Sequence, residues 1–95
     1  SPMRLPIVHA LIQDQDLTFA VVSVKDATLS EPVAAEKLME TLQTAYQCPV
    51  VLMGEENHQL FGRQEVVEFL NQYNVAQLPW QESAVDIPDP ADGAS

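Results

Sequence analysis

A chain of 95 residues with 46% apolar content fits one globular domain and excludes wholesale disorder. Fourteen acidic residues oppose four basic ones, for a net charge of −10, so direct contact with nucleic-acid phosphates or an anionic membrane surface is disfavoured. The lone cysteine, Cys48, cannot close an internal disulfide and fits a reducing, cytoplasmic setting. No apolar run nears the ~18 residues of a membrane span, and no charged-then-apolar leader opens the chain. Ser1-Pro2 ahead of Met3 reads as a remnant, with Met3 the expected start.

Ile7 to Ile12 is rich in β-branched residues and predicts a first strand. Gln13 to Asp16 predicts a polar turn, and Leu17 to Val24 a second strand, giving a hairpin. Along the first strand Ile7, His9 and Leu11 share one face, and Val8, Ala10 and Ile12 the other. Along the second, Leu17, Phe19 and Val21 alternate with Ala20, Val22 and Val24. Both faces of the hairpin are therefore apolar.

Lys25 to Leu29 reads as a connection, and Ser30 as the N-cap of a helix with Glu31 and Pro32 in its first turn. Ala35, Leu38, Met39, Leu42, Ala45 and Tyr46 make one apolar stripe. Pro49 stops the helix at Cys48. Val50 to Met53 lacks alternation, which predicts a central strand buried on both faces. Gly54 to Asn57 forms a turn and His58 to Phe61 a short returning strand. Gly62 is the expected cap of a second helix with Val66, Phe69, Leu70 and Tyr73 on its apolar face and Asn74 at its exit. Trp80 beside Pro79 reads as a packing hook that closes the core, with an exposed anchor for a partner as the alternative.

Each candidate reactive group has a plain structural account. Glu55, Glu56 and His58 share one turn, and Asp14 and Asp16 another, without any recognised metal-ligand spacing. Ser23 and Ser30 lack a nucleophile-elbow context, and Gly54, Gly62 and Gly93 form no phosphate-binding loop. His9 reads as a hydrogen-bonded core or rim histidine, and Arg63 as half of a surface ion pair. The unit from Cys48-Pro49 to Asn74 is similar to the closing strand–turn–strand–helix of thioredoxin-like proteins, in which a proline opens a strand beside the active site. The resemblance covers about a quarter of the chain. It implies a redox role for Cys48, but the CxxC motif of that family is absent.

The expected fold is α+β, a two-layer sandwich in the order ββαββα. Its four-stranded, mainly antiparallel sheet carries two helices on one face. Residues 3–81 are expected to form one domain, and 82–95 a disordered acidic tail. A hairpin with two apolar faces needs a second cover. The expected interaction residues are therefore Val8, Ala10, Ile12, Val22, Val24 and Trp80. The expected function is a small, acidic, non-enzymatic protein-interaction module without cofactor or metal. It would bind a protein partner, or form a homodimer, through a sheet face or edge. The alternatives are an acidic decoy that inhibits a nucleic-acid-binding protein and a degenerate thioredoxin-like redox protein.

Overall fold

The computed structural model describes residues 2–14 and 16–88. Strand β1 (Pro2–Gln13) turns back into β2 (Thr18–Val24), and a one-turn helix α1 (Asp26–Leu29) leads into α2 (Pro32–Tyr46). Strand β3 (Val50–Gly54), the short β4 (Leu60–Phe61) and α3 (Gln64–Leu70) follow. A 3-10 turn at Val75–Gln77 then delivers β5 (Trp80–Pro88). The sheet order is β4-β3-β2-β1-β5, with β2 and β3 parallel and every other pair antiparallel.

The class is α+β, as the residue pattern predicts, but three features differ from expectation. The sheet is mixed and five-stranded, because the α1–α2 crossover returns β3 parallel to β2. The helices cover both faces rather than one. On one side α2 packs Ala35 and Leu42 against Ile7, Ala20, Val22, Val50 and Leu52. On the other, α3 packs Val66 and Leu70 against Ala10, Ile12, Phe19, Val21, Val51 and Met53. The unbroken apolar run of β3 is the cause: all of its residues are buried, so both sheet faces need a cover. The third difference is β5. Residues 82–88, expected in a disordered tail, pair with β1 in continuous register from Ala10↔Trp80 to Pro2↔Pro88. Val85 packs into the core on the α2 side. Residues 89–95 of the expected tail lie outside the described residues.

Local details shift as well. Ser30 closes α1, and Glu31 is the N-cap of α2. Arg63, not Gly62, is the N-cap of α3. Gly62 instead lets β4 approach β3, since a Cβ there would lie 3.2 Å from Val51 Cγ2. Helix α3 ends at Leu70, and Asn74 caps the 3-10 turn, its Oδ1 accepting from the Ala76 amide at 3.0 Å.

Backbone direction follows from the pairing. The Ala20 amide donates to Pro49 O, and Val24 O accepts from the Glu55 amide, so even residues of β2 point their backbone groups at β3. Phe19, Val21 and Ser23 then point at β1 and meet Ile12, Ala10 and Val8. The odd residues of β1 are left to bond β5, through Gln81, Ser83 and Val85. The amides of Glu82, Ala84 and Asp86 face away from the sheet. Hydrogen exchange should therefore alternate along β5, slow at residues 81, 83 and 85 and fast at 82, 84 and 86. A disordered segment would exchange uniformly fast. Denaturant titration should separate core from surface: Phe19→Ala, at a fully buried site, costs about 3–5 kcal/mol. Leu11→Ala, at a half-exposed site, costs under about 1 kcal/mol.

Candidate functional site

Pairing between β1 and β2 ends at Val8↔Ser23, whereas β1 and β5 stay paired six residues further, to Pro2↔Pro88. The two-stranded ribbon thus outruns the sheet. It parts from β2 at the carboxyl ends of the parallel strands β2 and β3, the end of a mixed sheet where crevices form. Two hollows open there and share Val8, Ser23 and Glu55.

The first, about 280 Å³, lies on the α3 side and is lined by Val8, Ser23, Met53, Glu55, His58 and Trp80. The second, about 320 Å³, lies on the α2 side among Leu5, Ile7, Val24, Lys25 and Leu38. Trp80 is half-buried against the α3-side core, and its Nε1 donates to Val75 O at 2.8 Å. The indole is therefore both packed and held in orientation. The turn after β3 is fixed from outside. Glu55 donates its amide to Val24 O at 2.8 Å, and Asp26 Oδ1 accepts from the Glu56 amide at 3.2 Å. His58 adopts φ 57°, the left-handed region histidine tolerates better than most residues. Gly54 is needed beneath, because a Cβ there would come within 2.6 Å of Asp26 Oδ1.

The six expected interaction residues do not form one surface. Ala10, Ile12 and Val22 are core residues. Val8 is 41% exposed and lines the first hollow with Trp80. Val22 and Val24 lie on the opposite sheet face from Val8, Ala10 and Ile12. The pairs Ala10↔Val21 and His9↔Val22 show why: the hairpin sets even positions of β1 against odd positions of β2. Glu55, Ser23 and Met53 were not expected at the site. The missed signal was the strand end itself, at which Ser23 and Glu55 are the polar residues bordering apolar runs.

The other titratable groups sit apart from these hollows. His9 is buried, and the Tyr46 hydroxyl lies 2.5 Å from its Nδ1, with the rings edge-to-face at 5.2 Å. Burial lowers the His9 pKa below its usual value, which favours the neutral ring beside the phenol. Burial, with a smaller contribution from Cys48, raises the Tyr46 pKa. Burial also raises the Cys48 thiol, partly offset by a hydrogen bond from the Ala20 backbone. A raised thiol pKa disfavours the thiolate, the form through which a redox cysteine reacts. Arg63 ion-pairs with Glu65 at 2.6 Å. Among the described residues, no three His, Cys, Asp or Glu side chains converge to hold a metal ion, and no helix is long and apolar enough to cross a membrane.

No family model, curated protein or solved structure matches the chain.

The His9–Tyr46 pair predicts a pH dependence. The unfolded chain binds a proton near the ordinary imidazole value of 6.5, and the folded chain binds it only at lower pH. Stability is therefore complete above that value and falls as the pH drops through it. Urea midpoints between about pH 7.5 and about pH 5.5 should decline for the native chain and decline less for His9→Gln. Tyr46→Phe should cost about 1 kcal/mol at neutral pH, the value of one hydrogen bond.

Proposed function

We propose that this chain is a non-enzymatic protein-interaction module that receives its partner at the hollow around Val8 and Trp80. One observation carries the reading. A large apolar side chain, 41% exposed, lies beside an oriented tryptophan in a hollow bordered by Glu55 and His58. An apolar floor next to a fixed aromatic, with charge at the border, has the composition of an interface centre. Pro6 and Glu82 extend the surface along the ribbon, where a further shallow concavity adjoins Val8.

The net charge of −10 favours a partner whose contacting surface is positive, and it opposes close approach of a second copy. The reading needs no cofactor, metal, nucleic acid or membrane.

A substitution pair tests the proposal. Val8→Glu introduces a charge on the floor of the hollow without touching the core. It should weaken capture of the native-host partner by about tenfold or more, with little change in melting temperature. Leu11→Glu alters an equally exposed site on the opposite sheet face and should leave capture unchanged. Equal loss in both variants would contradict the assignment. So would a strictly monomeric chain that captures nothing.

A further inference from the structure

The interaction reading can be taken to the chemistry of the partner. We propose that the outer edge of β5 binds a cationic, extended peptide segment of that partner by strand addition. This inference rests on the interaction-module reading and adds a location and a mode.

Among the described residues the sheet has several unpaired backbone edges, and they are not equivalent; the one on β1 past its pairing with Trp80 spans only Leu11–Gln13. β4 spans only Leu60–Phe61, too short to template a strand. The part of β1 that outruns β2 is blunted by proline. Even residues of β1 point toward β2, so the missing amide of Pro6 falls on this free edge. β5 is the exception. Its residues Glu82, Ala84 and Asp86 direct amide and carbonyl groups outward, without a proline among them, before the strand ends at Pro88. Among the described residues, three alternate positions with outward, unpaired backbone groups on a nine-residue edge strand make a template for adding a strand.

Charge identifies the occupant. Glu82 and Asp86 project on the same sheet face as Val8 and Arg4, their cross-strand partners. Among the described residues Arg4 ion-pairs with Asp86, at 3.5 Å across an exposed pair. The edge is thus net acidic in a chain that is already −10. Two copies pairing antiparallel over the full length of β5 would centre on Ala84 and set each Glu82 opposite the other copy's Asp86. Like charges directly opposite destabilise a sheet. The same acids attract a strand with lysine or arginine at alternate positions. The edge therefore rejects a second copy and accepts a cationic segment.

The test uses the full chain and a defined probe, a peptide of about eight residues alternating lysine with threonine, with an alternating glutamate–threonine peptide as control. Addition of the lysine peptide should slow amide exchange at residues 82, 84 and 86 in native chain, and the effect should weaken as salt is raised. The glutamate peptide should do nothing. Ala84→Pro removes one outward amide and no ladder bond, so exchange protection at 81, 83 and 85 should persist while peptide affinity falls by about tenfold or more. Glu82→Lys, on an intact fold, should weaken binding similarly. Unchanged exchange at 82, 84 and 86, or equal binding by folded Ala84→Pro, overturns strand addition. If Val8→Glu abolishes capture of the native partner while Ala84→Pro leaves it intact, the hollow keeps its role and the edge loses its own.

Discussion

The point at which β1 leaves one neighbour but keeps the other governs this structure. From Val8 to Ala10, β1 is an interior strand between β2 and β5; from Pro2 to Ile7 it is half of a free ribbon. That change of partner opens the two hollows, exposes Val8 and leaves a proline-blunted edge at Pro6. The scaffold that tolerates it lies elsewhere. β3 is buried along its whole length, and each face of the sheet has its own cluster and its own helix. Two independently covered faces let the ribbon project without weakening the centre.

Acidity has a different meaning once β5 is placed. Read as a tail, Glu82 and Asp86 would simply aid solubility. In an edge strand they line an exposed backbone template and act on whatever approaches it. Protein sheets commonly protect an edge with charge. Charge of one sign also selects among partners, since it raises the cost of like-charged strands and lowers that of opposite ones.

Much of this architecture is legible from residue order. The stripe from Ala35 to Tyr46 gives α2, and the unalternating Val50 to Met53 gives a strand covered on both sides. The second of these already implied helices on both faces, because a strand cannot be buried twice by one layer. The direction of β3 was not legible, since a helical connection permits either sense until packing decides it. β5 was hidden because an edge strand uses the same acids and proline as a tail, and only its pairing with β1 tells them apart. Of the site, Val8 and Trp80 were readable as surplus apolar residues. Val22 and Val24 fall on the opposite side from Val8, a separation that the four-residue hairpin loop fixes and that the residue pattern of each strand alone does not show. Ser23 could not be grouped with Glu55 and His58, because strand ends meet only in three dimensions.

On the proposed reading, the partner contacts the β1–β5 ribbon and not the helical faces. Photo-crosslinking in the native host tests it most directly, with a photoreactive side chain placed singly at Val8, at Ala84 and at Val33, an exposed position on α2. One and the same protein should be joined from positions 8 and 84, and none from position 33. Crosslinks from position 33 alone, or equally from all three positions, would contradict it.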